Sequence, residues 1–352
     1  MMEPMIGILR NENPESSQKW EQACKDLKIE YDVIDITRND WLERSSGKPY
    51  SFFLTKPPGE IERYKILYDE RLYVLNKILG YKVFPSYEEC LIYENKKMLS
   101  YFLKAKNIPH PNTSVFYDFD EAYEYISNVE LPIVAKTSIG AAGCGVKILH
   151  NLSEAKIYLR TAFKGNGIRK RFGPNRVTGS PKKWISKALR YPGMLKKKWK
   201  QYIERYKDSQ RGYVIFQEFI EHDFEWRVAR IGESYFAYKK MRVNEKASGA
   251  KNIVFENPPL DILEFVRKIS DENDIRCAAF DIFVSKRGNL INEVQTLFGH
   301  IKDHILEVDG VPGRYVYNEN DWVFEPGCHF NINESYNFRL KTALDYYSRG
   351  LL

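Results

Sequence analysis

Residues 131–149 read Leu131-Pro132-Ile133-Val134-Ala135-Lys136-Thr137-Ser138-Ile139-Gly140-Ala141-Ala142-Gly143-Cys144-Gly145-Val146-Lys147-Ile148-Leu149. Two short apolar runs, Leu131–Lys136 and Gly145–Leu149, flank a tip of small residues, and the spacing predicts a β-hairpin. Few side chains stand between the backbone N–H groups of 138–145 and a ligand, and a lysine ends the first strand, which is the composition of a phosphate cradle. Neither GxxxxGK[ST] nor GxGxxG followed by a helix occurs, and the residues after Gly145 read as strand. Taken alone, such a tip is more often a simple turn, so its meaning depends on its company.

Upstream, Met5–Leu9, Ser17–Leu27, Tyr31–Ile36, Ser51–Leu54 and Ile61–Leu79 alternate strand and helix. That order predicts a small parallel α/β unit over residues 1–85, with a boundary after Val83-Phe84-Pro85-Ser86. Helical periodicity over Asn95–Lys106 stops at Asn107-Ile108-Pro109, where proline breaks it. Downstream, strands are expected at Val214–Phe219, Glu225–Ile231, Ser234–Lys239, Ala278–Val284 and Leu290–Val294, with a helix at Leu260–Asn273. The aromatic residues of 313–347 read as core and a closing helix. Asp281 and Glu293 interrupt otherwise apolar strands joined by Lys286-Arg287-Gly288-Asn289. A hairpin would bring these carboxylates together, and two hard oxygen ligands beside phosphates suit Mg²⁺.

The 352-residue chain is 43% hydrophobic and 29% charged, enough to bury a large core and too long for one ordinary domain. Cys24, Cys90, Cys144, Cys277 and Cys328 form no CxxC pair, so a zinc ribbon or disulfide scaffold is excluded and a reducing, cytoplasmic compartment is expected. No transmembrane span or secretory signal is expected. Net charge is +7, yet residues 160–212 hold 17 Lys/Arg against only Glu204 and Asp208. Dense clusters at Arg169-Lys170-Arg171 and Lys196-Lys197-Lys198-Trp199-Lys200 are interleaved with Phe172, Trp184, Tyr191, Tyr202 and Tyr206. This insert reads either as solvated lid surface or as a polyanion-binding surface. His300 and His304, four apart, would share a helix face but lack a third metal ligand, and line an acceptor pocket more readily. His222 reads as structural.

The order and spacing of these elements resemble the ATP-grasp superfamily over roughly residues 85–300. The resemblance implies an α/β (α+β) ATP-grasp fold: an N-terminal α/β domain, 1–85, precedes the ATP-grasp domain, 86–352, in which a lid subdomain, 116–220, contains the insert 160–212. It implies ATP phosphate contacts from Lys96, Lys136 and the flap glycines Gly140, Gly143 and Gly145, with Glu218, Phe219 and Ile220 at the base. Glu225 would take the ribose hydroxyls, and Asp281, Glu293 and Gln295 two Mg²⁺ ions, Gln295 standing where the family usually has Asn. Lys240, Arg242 and Lys246 occupy positions where family members hold the γ-phosphate or an acyl phosphate, and the sequence does not choose among them. Arg227, in Glu225-Trp226-Arg227-Val228, resembles the glutamate-ligase-like branch. Asn244–Gly249 and Gln295-Thr296-Leu297-Phe298-Gly299 resemble members linked to surface-polysaccharide biosynthesis.

The activity so implied is ATP- and Mg²⁺-dependent carboxylate–amine ligation through an acyl phosphate. Acidic substrates (a uronic-acid glycan, an acidic peptide, a phosphorylated carrier) would be paired with an amine. Two alternatives stay open, a kinase-like phosphotransferase and a polyanion-binding protein, nucleic acid included, with a degenerate nucleotide site. A homodimer and peripheral membrane contact through the lid are likewise left open.

Overall fold

The computed structural model describes residues 4–140, 143–170, 203–204, 206–243, 246–247, 252–300 and 302–352, and of 243, 246 and 247 only the backbone. Residues 171–202 and 205, with the cluster at Lys196–Lys200, lie outside the described residues, as does Asn244–Gly249 apart from the backbone of 246 and 247.

Strands β1 (Ile6–Arg10), β2 (Tyr31–Asp35), β3 (Phe52–Thr55) and β4 (Val83–Phe84) form a parallel sheet in spatial order β2-β1-β3-β4. Helices α1 (Gln18–Asp26), α2 (Trp41–Ser46) and α3 (Glu62–Tyr73) connect them, as the alternating pattern predicts. The helical stretch expected to reach Leu79 stops being α-helical at Tyr73, and its last turn, Val74–Ile78, is wound more widely. A parallel sheet covered on both sides needs apolar residues on both faces. Ile6, Ile8, Phe52 and Leu54 therefore enter one core with Trp20, while Leu9 and Phe53 enter another with Tyr68 and Leu72.

After Pro85, α4 (Tyr87–Ile92) starts at a capping box in which Ser86 and Glu89 satisfy each other's backbone N–H groups. The Glu89 carboxylate also accepts the N–H groups of Arg276 and Cys277, at 2.9 and 2.7 Å, and so ties the first unit to the largest sheet. α5 (Lys96–Ala105) follows, capped by Asn95.

The second sheet contains β5 (Thr113–Phe116), β6 (Ile133–Lys136) and β7 (Val146–Leu149); beyond a separate pair, β8 (Ile168–Arg169) with β9 (Ser209–Gln210), it is completed by β10 (Val214–Glu218). Its order is β5-β10-β6-β7, wholly antiparallel, and β6–β7 is the expected hairpin. Period-two alternation decides what each face carries. Ile133, Ala135, Leu149, Val214 and Phe216 pack under α6 (Phe119–Asn128) and α7 (Leu152–Phe163), which turns Val134, Lys136, Ile148 and Gln217 to the opposite side.

The third sheet is antiparallel. Its strands are β11 (Phe224–Ile231), β12 (Ser234–Val243), β13 (Lys246–Ala247), β14 (Ile253–Val254), β15 (Cys277–Ser285), β16 (Gly288–Gln295), β17 (Glu307–Val308), β18 (Val311–Asn318) and β19 (Asp321–Pro326). The central order is β16-β15-β11-β12-β18-β17. Helices α8 (Leu260–Glu272) and α9 (Tyr336–Ser348) add to its core, and α9 also meets the first unit, where the Tyr336 and Trp20 rings lie edge to face at 4.6 Å. The stretch 313–347 thus holds part of β18 and the whole of β19 before its closing helix. Among the described residues between β16 and β17 no helix forms, so His300 and His304 do not share a helix face.

Gly7 on β1 faces the Phe53 ring so closely that an added Cβ would stand 2.2 Å from it. Gly7→Ala is expected to lower unfolding free energy by about 1–3 kcal/mol through overpacking, read as a lower denaturation midpoint in urea.

Candidate functional site

A cleft with a cavity volume of about 140 Å³ separates the free face of the second sheet from the third sheet. Val134, Lys136, Ile148 and Gln217 line it from one side; Glu225, Lys240, Phe283, Asn292 and Glu293 line it from the other. Phe219, Ile220 and His222, in the connection between β10 and β11, close its back, and Lys96 and Gly143 stand at its mouth.

The polar wall of the third sheet is set by strand register. Glu225 lies opposite Lys240, Arg227 opposite Asp281, and Asp281 opposite Glu293. Each pair joins opposite charges or brings an acid beside one already paired. Arg227 donates to both carboxylate oxygens of Asp281, from Nε at 2.7 Å and Nη2 at 2.8 Å. Lys240 Nζ donates to Asp281 Oδ2 at 2.6 Å and to Glu225 Oε2 at 2.9 Å. Burial raises the cost of a charge on Asp281, but Arg227 and Lys240 outweigh it and hold this carboxyl well below the usual carboxylate range.

The register slips between Asp281 and Ile282: Asp281 pairs with Glu293, Ile282 with Ile291, and Asn292 is the extra residue of a β-bulge. Ile291 and Val294 point into the core at 1% exposure each, so the bulge turns two consecutive side chains, Asn292 and Glu293, to the cleft. Asn292 Nδ2 donates to Glu225 Oε1 at 3.1 Å, and its Oδ1 accepts from Lys136 Nζ at 3.0 Å across the cleft. Burial pushes the Lys136 ammonium down to about 8. Lys96 Nζ lies 3.5 Å from Glu293 and 3.5 Å from Glu94; these carboxylates overcome its burial and raise it, whereas burial pushes Glu94 up to about 7.

The flap is anchored at its base. Lys96 donates its backbone N–H to Ser138 O at 2.8 Å and its Nζ to Gly140 O at 2.6 Å, while Ser138 Oγ donates to the capping Asn95 Oδ1 at 3.0 Å. Gly143 has φ +65°, the left-handed region, with nothing within 4 Å of where a Cβ would stand. A Cβ on Gly145 would instead stand 1.8 Å from Thr137 Oγ1, so only glycine lets the second flap strand close onto the first. Val134, Ile148, Phe219, Ile220 and Phe283 give the cleft an apolar slot behind these polar groups, the form of a pocket for a flat ring with a charged tail.

The structure thus brings together Lys96, Lys136, Gly143, Glu218, Phe219, Ile220, Glu225, Lys240 and Glu293. Other residues expected at the site have different surroundings. Asp281, only 1% exposed, and Gln295, whose Oε1 accepts from Arg227 at 3.1 Å, are not on the cleft wall; Arg227 holds both from behind it. The Glu218 carboxylate lines the cleft but accepts from Asn112 N at 2.8 Å and from Arg287, so it braces the hinge. Arg242 is not on the wall, and its Nη1 donates to His222 O at 3.2 Å; the Lys246 side chain lies outside the described residues. Of the three cations left open by sequence, Lys240 reaches the cleft. Gly140 and Gly145 belong to the flap base rather than the wall.

Sequence reading passed over Asn292, Arg227 as a partner, and Glu94. Two adjacent polar residues inside an apolar strand are the signal of a bulge and were there to be used for Asn292. His222, expected to be structural, lies on the wall. His300 packs edge to face on Tyr238 at 4.8 Å and burial pushes it down to about 4, while His304 pairs with Glu307; among the described residues no group of three or more His, Cys, Asp or Glu is placed to hold a metal.

No family model matches the chain. Solved structures do. D-alanine–D-alanine ligase from Bacillus anthracis is 14% identical, with TM-score 0.53 over 99% of this chain and 98% of that one. N5-carboxyaminoimidazole ribonucleotide synthetase from Thermotoga maritima is 14% identical, with TM-score 0.52 over 97% and 76%. An ADP complex of the same kind of synthetase is also 14% identical, with TM-score 0.54 over 84% and 70%. At these identities the likeness is one of fold: the chain shares their mixed α/β architecture, with a parallel sheet followed by antiparallel ones. Among the described residues no helix is long and apolar enough to cross a membrane.

Lys136 has a pKa near 8 in the folded chain and 10.5 as its ordinary value. The unfolded state therefore holds that proton more tightly, and this group's contribution to stability rises with pH between those values. Lys136→Met is expected to raise Tm at pH 7, and the gain should shrink as pH approaches 10. A lower Tm at pH 7 would mean that the contacts to Asn292 and the nearby acids outweigh the cost of burial.

Proposed function

We propose that the chain is an ATP- and Mg²⁺-dependent carboxylate–amine ligase. The observation that carries this reading is the cleft itself: two lysines on separate elements beneath a glycine flap, an apolar slot behind them, and a facing wall of carboxylates and Lys240. The donor set suits a nucleoside triphosphate. The slot takes the base, Lys96 and Lys136 the phosphate tail, and Glu225 the ribose. Glu293 and Asn292, turned into the cleft by the bulge, supply hard oxygens of the kind Mg²⁺ takes. When bound, Mg²⁺ supplies charge neutralisation between the phosphates.

Joining a carboxylate to an amine is uphill in water, so the acid must be activated. On this reading its oxygen attacks the γ-phosphorus, ADP departs, and an acyl phosphate forms. Lys96, Lys136 and Lys240 stabilise charge spread over the transferring group. The flap keeps water from the acyl phosphate, and the amine then displaces phosphate to form the amide. No protein nucleophile is needed. We infer that the basic insert selects an acidic acceptor, such as a uronic-acid glycan or acidic peptide, because its charge stands out from a chain that is otherwise net acidic.

Calorimetric titration with a non-hydrolysable ATP analogue is expected to show Mg²⁺-dependent binding, weakened at least about tenfold in Lys136→Ala and in Glu293→Ala, as befits a lost charge-assisted contact. No binding by the native chain would overturn the proposal. ADP release that consumes no amine would identify a phosphotransferase instead. Replacing Lys196, Lys197 and Lys198 by alanine should raise KM for the acidic substrate while slow ATP hydrolysis persists; an unchanged KM would remove the insert from substrate selection.

A further inference from the structure

We infer that His222 is a ribose-reading residue that shares the sugar's hydroxyls with Glu225, an inference that rests on the nucleotide reading of the cleft. His222 lies in the turn between β10 and β11, lines the cleft, and has a side chain only 10% exposed. Its Nδ1 is 2.7 Å from Ile220 O. A carbonyl oxygen can only accept, so Nδ1 carries the proton and Nε2 is left as an acceptor in the neutral ring. The ring is held in place by Phe283, with centroids 4.5 Å apart.

Nε2 is buried and has no hydrogen-bond partner. A buried acceptor without a donor is costly, and such groups in native proteins call for an explanation. Glu225 Oε1 lies 3.8 Å from Nε2, beyond hydrogen-bonding range and without a proton to give. Glu225 is itself fixed, by Lys240 on Oε2 and Asn292 on Oε1. Two acceptors on neighbouring positions of one wall therefore face a ligand that brings two adjacent donors. A vicinal cis-diol does so, and the ribose of a nucleotide seated with its base in the apolar slot would place one there. The pair thus selects ribonucleotides over their deoxy counterparts, with one hydroxyl answering to His222 and the other to Glu225.

The test measures affinities of ATP, 2′-deoxyATP and 3′-deoxyATP for the full chain with Mg²⁺, in the native protein, His222→Phe and His222→Gln. Phenylalanine keeps the ring on Phe283 and removes both nitrogens; glutamine can restore an acceptor near the Nε2 position. The native chain should prefer ATP over each deoxy analogue by roughly three- to tenfold, the worth of one hydrogen bond. In His222→Phe one of the two preferences should vanish while the other stays, and His222→Gln should recover part of it. Because Phe also removes the tie to Ile220, all three ligands can weaken together; only the ratio reports the hydroxyl. ATP binding with both ratios unchanged in His222→Phe, or a native chain that binds all three equally, would overturn this inference alone. A native chain that binds none of them would overturn the nucleotide reading and this inference with it.

Discussion

Four cations and four carboxylates gather on and just behind the two walls of the cleft, and burying them together is the constraint on which the rest of the structure depends. Arg227, Lys240, Lys136 and Lys96 stand against Asp281, Glu225, Glu293 and Glu94, joined by direct contacts and by the amide of Asn292. Removing one member of a directly paired set, such as Arg227 with Asp281 or Lys240 with Glu225, leaves an unpaired charge and costs several kcal/mol. The pairs run across strands, Glu225 to Lys240 and Arg227 to Asp281, so β12, β11 and β15 must be neighbours in this register. A slip of one residue would turn Arg227 and Asp281 to the opposite face, where Val228 and Phe280 are now fully buried in the core. Charge pairing and hydrophobic patterning thus specify the same arrangement.

The same pairing says what a ligand must bring. Every cation of the set already faces a carboxylate or, for Lys136, the amide oxygen of Asn292, so a bare polyanion entering here would take Lys96 and Lys136 at the expense of Glu293 and Asn292. On the ligase reading, a divalent cation arriving with it would take up the oxygens so released. The site is nearly self-neutral, and on the ligase reading that is the physical reason for a metal–nucleotide complex over either component alone. The depressed Lys136 fits this picture, because an incoming phosphate restores the favourable surroundings that burial took away.

Much of the frame was legible in the sequence because it rests on local rules. Strand and helix alternation in the first unit, the small-residue hairpin at 131–149 and the apolar strands bearing Asp281 and Glu293 all follow from periodicity and turn chemistry. What stayed hidden was set by three-dimensional pairing. Asp281 and Glu293 are neighbours, as a hairpin implies, yet one is sequestered by Arg227 and Lys240 and the other faces the cleft. That difference comes from residues 41 and 54 positions away in the chain. The bulge at Asn292 breaks the alternation that a strict strand pattern assumes, and the bonds from Asn112 and Arg287 that occupy Glu218 join elements separated by about 70 and 100 residues. His222 looked structural because a lone histidine near a turn usually is. Only the partnerless nitrogen sets it apart.

The cleft has two walls that belong to different sheets, and polar ties join them. Lys136 to Asn292 spans the gap directly, Glu218 to Arg287 braces its back, and the N-terminus of α5 holds the flap base through Ser138 and Gly140. On the far side, Lys170 reaches Glu60 O at 2.5 Å, Tyr213 Oη donates to Glu62 at 2.9 Å, and Arg63 pairs with Glu204, so the base of the insert is fastened to the first unit. Polar ties of this kind can be exchanged one for another at little net cost, unlike the apolar contacts that fix each sheet on its own helices. A ligand that claims Lys136 severs the direct tie across the cleft and must bridge the walls itself. On the nucleotide reading, binding would proceed by such a substitution of partners, with each sheet keeping its own core intact.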